Sequence, residues 1–245
     1  MAERIRLDIA LEARGLAQSR ARARDAIIRG TVSVNGILAG KPHQMVSDAD
    51  VLVVNDPAGH YVSRAAVKLI AGLDAGEITA TGKTCLDLGA STGGFTQVLI
   101  ERGAAKVYAV DVGHDQLHSN VRVLPQVVAM EGVNARDLTP AEILEPVALL
   151  VCDVSFVSVT KVLTAPLTLC ASGADAVILI KPQFEVGREA VGRGGIVTDD
   201  AAIATAVSNV VAFMASNGWD HRISVDSPIA GGDGNRETVA VFRKR

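Results

Sequence analysis

From residue 84 onward, short apolar runs alternate with longer stretches of mixed polarity. The apolar runs have the length of buried strands. We predict seven strands, at residues 84–89, 106–111, 126–130, 147–152, 175–180, about 221–226 and 238–243. Helical patterns separate most of them, and the longest, over 201–216, is almost entirely small or apolar and is expected to pack flat on a sheet. This alternation predicts an α/β fold with a Rossmann-like, doubly wound and mostly parallel sheet.

The first part of the chain follows a different pattern, which is typical of a small α+β domain. Leucines at Leu7, Leu11 and Leu16 predict a short amphipathic helix. Ser19 is a suitable N-cap for a second helix that Gly30 ends. The residues of that second helix expected to face the core are Ala21, Ile27 and Ile28. An Asn-Gly turn between strands completes the pattern.

The chain divides at a segment that contains proline and glycine, Asp56-Pro57-Ala58-Gly59. We therefore predict a small amino-terminal domain over residues 1–56, a linker over 57–63 and a large domain over 64–245.

Charge is distributed unevenly between these parts. The net charge is −3, but residues 1–47 hold eight Lys and Arg against four acids, whereas the remainder holds 16 basic and 23 acidic residues. A basic domain beside an acidic one predicts a polyanionic partner, although a solvated basic helix explains the charge equally well. The candidate phosphate contacts are Arg4, Arg6, Arg20, Arg22, Arg24 and Lys41.

Composition narrows the protein class. The three cysteines, Cys85, Cys152 and Cys170, lie in apolar segments at irregular spacing, so neither a metal motif nor a disulfide framework is predicted. The amino terminus lacks the apolar core of a signal peptide, and no apolar run reaches the length of a membrane helix. We expect a cytoplasmic protein without a membrane span.

The first strand of the large domain ends in a glycine-rich turn, and Asp111 ends the next strand, 22 residues after Gly89. Such a turn and acid are typical of a nucleoside-binding site. Ser91 stands where a dinucleotide fingerprint has its second glycine, so the Asp87-x-Gly89-x-x-x-Gly93 spacing favours S-adenosylmethionine. A tight turn without a ligand remains an alternative. The candidate cofactor residues are Asp87, Gly89, Ala90, Ser91, Thr92, Gly93, Gly94, Phe95, Asp111 and Asp137.

Three polar residues follow other predicted strands. Asp137 comes after the third strand, where it can contact a nucleoside or act as an N-cap for residues 140–145. Asp153 and Lys181 each end an apolar strand. A lysine at the end of so hydrophobic a strand is costly unless it is paired or functional. These residues are therefore candidates for the chemistry of the site.

Several motifs resemble known families. The order Lys68, Asp153, Lys181, Glu237 resembles the tetrad of the FtsJ/RrmJ ribose 2′-O-methyltransferases. The amino-terminal residues resemble a small RNA-binding module shared with a ribosomal protein, pseudouridine synthases and tyrosyl-tRNA synthetase. Nearly the whole chain is similar to the bacterial TlyA ("hemolysin A") family, most specifically in the segments 63–69, 153–156, 181–187 and 234–237.

The resemblance implies an enzyme that uses S-adenosylmethionine to methylate cytidine ribose in the RNA of ribosomal subunits. It implies that Lys181 is the general base, that Lys68 and Asp153 position it and the ribose, and that Glu237 holds Lys68 or the hydroxyl. Short termini resemble the family members restricted to the large subunit, so we expect that substrate, possibly with the small subunit as well.

Three alternatives remain at this point. The first is a non-catalytic RNA-binding or ribosome-assembly factor. The second is a membrane-active hemolysin, against which the absence of a long basic amphipathic helix argues. The third is a small-molecule methyltransferase, which the basic domain disfavours.

Overall fold

A computed structural model describes residues 4–245. The chain forms two compact units, one reaching to His60 and the other running from Tyr61 to Arg245. Among the described helices, none combines the length and the hydropathy that crossing a lipid bilayer requires.

The amino-terminal unit contains two short helices, a two-stranded pair and a three-stranded sheet. Its elements are β1 (Arg4–Arg6), α1 (Leu7–Ala13), α2 (Arg20–Ile28), β2 (Val32–Val34), β3 (Ile37–Leu38), β4 (Met45–Ser47) and β5 (Leu52–Val54). β1 pairs with β4, and the second sheet has the order β3-β2-β5. The predicted Asn-Gly turn joins β2 to β3, with φ of 52° at Asn35 and 81° at Gly36, the combination that a tight hairpin of this type requires.

Helix α2 begins and ends as its sequence predicts, but its buried face differs. The Ser19 hydroxyl accepts a hydrogen bond from the backbone N–H of Arg22 at 3.3 Å. The buried residues are Ala23, Ala26 and Ile27. The prediction was wrong for Ala21, which is exposed, and for Ile28, which is 68% exposed. Positions 23, 26 and 27 share one side of the helix, and 21 and 28 lie off it.

The larger unit alternates strands and helices around one sheet. Its elements are α3 (Ala66–Ala75), β6 (Thr84–Leu88), α4 (Gly94–Glu101), β7 (Lys106–Asp111), α5 (Ser119–Arg122), β8 (Val127–Glu131), β9 (Val147–Cys152), α6 (Val159–Val162), α7 (Thr164–Thr168), β10 (Cys170–Ile180), α8 (Pro182–Glu185), α9 (Asp200–Ser216), β11 (Trp219–Asp226) and β12 (Thr238–Lys244).

The seven strands have the order β11-β12-β10-β9-β6-β7-β8. Strands β6 to β10 are parallel to their neighbours in this group, and β12 is antiparallel to both β10 and β11. This arrangement confirms the predicted Rossmann-like, mostly parallel sheet. The carboxyl ends of β9 and β10 and the amino end of β12 therefore lie at the same edge of the sheet.

Both faces of the sheet are covered, because successive strand residues alternate between two cores. Leu150, Cys152, Ile178 and Phe242 belong to one core, and Leu149, Val151, Val177 and Val241 to the other. Strands buried on both faces read as continuous apolar runs, which explains why the sequence pattern located them. Helix α9 buries only one stripe, consisting of Ala206, Val210 and Met214.

Candidate active site at the carboxyl edge of the sheet

The turn between β6 and α4 is held in place by the neighbouring strand ends. Gly89 has φ of +81°, and a Cβ atom there would lie 2.8 Å from the carbonyl oxygen of Asp153, so only glycine fits. One oxygen of Asp111 accepts the backbone N–H of Ser91 at 2.8 Å, and the other accepts that of Gly113 at 2.7 Å. Asp111 therefore holds the backbone of the turn beside which it was predicted to bind the cofactor.

A cavity of about 490 Å³ opens beside this turn. Its volume lies within the range of pockets that hold nucleoside-sized ligands. Its lining residues include Gly89, Ser91, Val110–Gly113, Gln116, Val133–Arg136, Asp153–Val157 and Val162. Each carboxylate oxygen can accept two hydrogen bonds, so Asp111 retains acceptor capacity for ribose hydroxyls. The residues present therefore fit a nucleoside cofactor.

The predicted cofactor residues fall into three groups. Gly89, Ser91 and Asp111 line the large cavity. A smaller recess next to it is lined by Ala90, Gly94 and Phe95, together with Gly89 and Ser91. Neither space is lined by Asp87, Thr92, Gly93 or Asp137.

Asp137 is exposed, whereas its neighbours Asn134, Ala135 and Arg136 reach the large cavity. The N-cap alternative for Asp137 is also not realised. Thr139 accepts the backbone N–H of Ala141, and residues 140–145 contain a turn at 140–142 but no helix.

Asp87 lies below the turn with its side chain fully buried. One carboxylate oxygen accepts the hydroxyl of Thr96 in α4 at 2.6 Å, and the other has no hydrogen-bond partner in the described part of the chain. Burial raises the pKa of Asp87 to about 7, against the lowering effect of the Thr96 hydrogen bonds. The carboxyl group therefore supports the start of α4 from within the core.

We expect this carboxyl group to make stability depend on pH. Because the pKa is raised in the folded state, the folded chain keeps a proton between about pH 4 and pH 7 that the unfolded chain releases, and stability falls as pH rises through that window. Asp87→Asn imitates the protonated carboxyl, so its melting temperature should fall less than that of the wild type between pH 5 and pH 8. Calorimetry across this range measures both, and parallel curves would contradict the prediction.

The sheet register brings three of the four tetrad residues together. Ile180 pairs with Thr238, and Ile178 pairs with Cys152. Lys181, Glu237 and Asp153 are the residues adjacent to these pairs at the carboxyl edge. Three separate parts of the sequence therefore converge on one point of the sheet.

Lys68 reaches the same point from α3, whose glycines allow a close approach to the sheet. A Cβ atom at Gly72 would lie 2.5 Å from a methyl carbon of Val177 in β10 and 2.6 Å from one of Val239 in β12. Lys68 stands one turn before Gly72 and therefore lies on the same face of the helix.

The tetrad forms two ion pairs. Lys68 Nζ lies 2.5 Å from Glu237 Oε2, and Lys181 Nζ lies 2.7 Å from Asp153 Oδ1. Lys68 is 6% exposed and Lys181 7%. Burial raises the pKa of Glu237, and the positive charges of Lys68 and Lys181 oppose that rise. Two amines and two carboxyl groups thus share one largely buried cluster.

The smaller recess, of about 180 Å³, opens onto the Lys181–Asp153 pair of this cluster, and Lys68 and Glu237 do not line it. Lys181 lines the recess, whereas the large cavity does not include it. The two spaces share Gly89, Ser91, Asp153 and Ser155 as walls. A group held in the recess therefore faces both the lysine and the cofactor cavity.

Several lining residues had no individual prediction. Ser155 and Phe156 lie in a motif that the resemblance singled out, but neither was assigned a role. Gln116 lies in a polar loop that carries no recognisable signal. Phe156 has φ of +66° and is 91% exposed, and its ring centroid lies 5.5 Å from that of Phe184. Spacing alone does not identify such loop residues.

The predicted RNA contacts lie in the amino-terminal unit. Arg6 and Arg20 both bind the buried carboxylate of Asp8, with Nε–oxygen distances of 2.9 and 3.0 Å. The Arg6 hydrogen bonds, followed by those of Arg20, hold the pKa of Asp8 at about 2. Two arginines and one carboxylate leave a net positive charge at this point.

The other four basic residues are arranged differently. Arg22 donates to the carbonyl oxygen of Ala58 at 2.8 Å. Arg4, Arg24 and Lys41 are exposed, and the side chains of Arg24 and Lys41 have no ion-pair or hydrogen-bond partner within residues 4–245.

Comparison with known proteins places both units in families. Residues 61–244 match the FtsJ-like methyltransferase family, and residues 5–52 match the S4 domain. A Mycobacterium tuberculosis protein named 16S/23S rRNA (cytidine-2′-O)-methyltransferase TlyA is 47% identical over 97% of this chain and 89% of its own length. The Campylobacter jejuni 23S rRNA (cytidine-2′-O)-methyltransferase TlyA is 39% identical over 75% of this chain and 71% of its own length.

The structural comparison agrees with this placement. A candidate hemolysin of known structure from Streptococcus thermophilus is 34% identical, with a TM-score of 0.77, over 100% of this chain and 90% of that protein. The matches cover both units. The chain therefore belongs to the FtsJ-like methyltransferase family, and within it to the TlyA proteins that join an S4 domain to the methyltransferase domain.

Proposed function

We propose that this protein methylates the 2′-hydroxyl of cytidine ribose in ribosomal RNA, with S-adenosylmethionine as the methyl donor and Lys181 as the general base. The observation that carries the proposal is the buried Lys181 amine at a recess that shares four wall residues with a nucleoside-sized cavity. S-adenosylmethionine supplies the methyl group. The turn from Gly89 to Ser91 and the carboxylate of Asp111 would hold it.

The chain's own residues provide the activation of the hydroxyl. A ribose hydroxyl is a poor nucleophile until it loses its proton, and a positioned base contributes about 10²–10⁴-fold to such a step. Lys181 Nζ is the base candidate at the recess, and Asp153, 2.7 Å away, balances the charge that forms on it. Lys68, held by Glu237 at 2.5 Å, adds a second positive charge to the tetrad.

The S4 domain supports RNA as the acceptor. Arginine forks suit phosphate oxygens, and phosphate contacts fix the position of an RNA without reading its sequence. The exposed Arg4, Arg24 and Lys41, together with the Arg6–Asp8–Arg20 cluster, supply such contacts. The names of both TlyA relatives include 23S RNA, which supports the large-subunit RNA as substrate. One of them also includes 16S RNA, so the small subunit is tested alongside.

The test uses the purified full chain, S-adenosylmethionine with a labelled methyl group, and isolated large and small ribosomal subunits that lack the modification. We expect label in large-subunit RNA, recovered after nuclease digestion as 2′-O-methylcytidine and identified by mass spectrometry. Label on a base nitrogen, or on another nucleoside, would overturn the assigned reaction.

The same experiment separates the main rival, a non-catalytic RNA-binding factor. Such a factor would bind the subunits without transferring label, and calorimetry would detect no binding of S-adenosylmethionine. A membrane-active protein would instead release dye from liposomes, which we do not expect.

A further inference from the structure

The amine of Lys181 has two oxygen neighbours, and the two contacts differ in kind. Asp153 Oδ1 and Ser155 Oγ each lie 2.7 Å from Nζ. Asp153 Oδ1 makes no hydrogen bond of regular geometry with any described residue, so its contact with the amine is an ion pair. Ser155 Oγ accepts a hydrogen bond of regular geometry. Asp153 therefore contributes a negative charge near the amine, whereas Ser155 can orient the amine through a hydrogen bond.

The orientation of the amine matters because a neutral amine accepts a proton through a single lone pair. Its nitrogen has one bond to carbon, two N–H bonds and the lone pair. Rotation about the Cε–Nζ bond changes the direction of the lone pair unless a hydrogen bond fixes it. Ser155 lines both the recess and the large cavity, and Lys181 lines the recess. An N–H held on Ser155 restricts the lone pair to few orientations, among them the one that faces the recess.

The segment that carries Ser155 is itself anchored. Glu185, in the helix that follows Lys181, accepts the hydroxyl of Ser158 at 2.6 Å and the backbone N–H of Val159 at 2.8 Å. The serine and the lysine therefore belong to two segments that are connected at a second point. These contacts restrain the position of the Ser155 segment relative to Lys181.

We propose that Ser155 is a positioning residue that fixes the orientation of the Lys181 amine toward the ribose hydroxyl. The inference rests on the proposed base role of Lys181. The proton passes from O2′ to Nζ, and Ser155 Oγ accepts a hydrogen bond from the amine before and after this transfer. Ser155 therefore acts on the rate of proton transfer and not on the affinity for RNA.

The experiment compares full-length variants by kcat, by KM for the ribosomal subunit and by calorimetric affinity for S-adenosylmethionine. Ser155→Ala should lower kcat by about 10–100-fold, a loss typical of a misplaced catalytic group, with KM and cofactor affinity within twofold of wild type. Ser155→Thr, which keeps the hydroxyl, should recover most of the rate. Ser208→Ala is the control, because it removes an exposed serine hydroxyl of α9 that lies outside both cavities, and its kcat should stay within about threefold.

A double-variant cycle connects the effect to the lysine. If Ser155 acts through Lys181, adding Ser155→Ala to Lys181→Met should not slow the residual reaction further. Three results would each overturn the inference while Lys181 remains the base. The first is a kcat of Ser155→Ala within twofold of wild type, and the second is an effect confined to KM or cofactor affinity. The third is an additive loss in the double variant. Full activity of Lys181→Met would overturn the base role itself, and these two failures are therefore distinguishable.

Discussion

Lys181→Met is expected to lower methyl transfer by about 10²–10⁴-fold, the usual contribution of a general base. Methionine has similar length and volume but no amine, so the recess keeps its shape while the proton acceptor is lost. Lys181 does not line the cofactor cavity, so affinity for S-adenosylmethionine should remain near wild type. Single-turnover rates and calorimetry measure the two quantities separately.

The control for this variant is Lys161→Met, which removes an exposed lysine of α6 that lies outside both cavities. Its rate should equal that of the wild type. Because Lys181→Met also leaves Asp153 without its ion-pair partner, melting temperatures must show that the variant is folded at the assay temperature. A folded Lys181→Met protein with a rate within tenfold of wild type would exclude the proposed base.

Lys68→Met should destabilise the protein by about 3–5 kcal/mol, the cost typical of removing one partner of a buried ion pair. Lys68 and Glu237 are 6% and 4% exposed, so the carboxylate left behind has little access to water. Burial already raises the pKa of Glu237, and loss of the lysine charge raises it further. The destabilisation should therefore grow with pH, because ionisation of the buried carboxyl is what costs free energy.

The double variant Lys68→Met/Glu237→Gln separates stability from chemistry. It contains neither buried charge, so urea unfolding should show recovery of most of the stability. Methyl transfer should stay low because the positive charge of Lys68 is still missing from the tetrad. Equal stability of the single and double variants would contradict the assignment of the cost to an unpaired carboxylate.

Local sequence patterns predicted the central strands of the sheet well, because these strands are buried on both faces. The limits predicted for residues 106–111 and 147–152 agree with β7 and β9. Strand β10 begins at Cys170, well before the predicted residue 175, and its register with β9 shifts between Cys170 and Asp175. The serine and glycine in that part interrupt the apolar run, so the pattern marked only the regular half of the strand.

The identities of the tetrad residues were accessible through a resemblance, but their pairing was only partly so, since the sequence left open whether Glu237 holds Lys68 or the hydroxyl. Lys68 contacts Glu237, and Lys181 contacts Asp153. These pairs depend on the strand register and on the distance between α3 and the sheet, and neither can be derived from a local sequence pattern. The shared contact of Arg6 and Arg20 with Asp8 is of the same kind, since no spacing rule connects residues 6, 8 and 20.

The absence of a side chain at Gly72 affects the position of Lys68 in the site. Any larger side chain there meets Val177 and Val239 at distances that require the two valine side chains, the helix or the sheet to shift. Movement of α3 away from the sheet carries Lys68 away from Glu237, although residue 72 contacts neither the cavity nor the recess. In a mutational scan, position 72 should therefore be as intolerant as a catalytic position, and stability measurements alone would underestimate its importance.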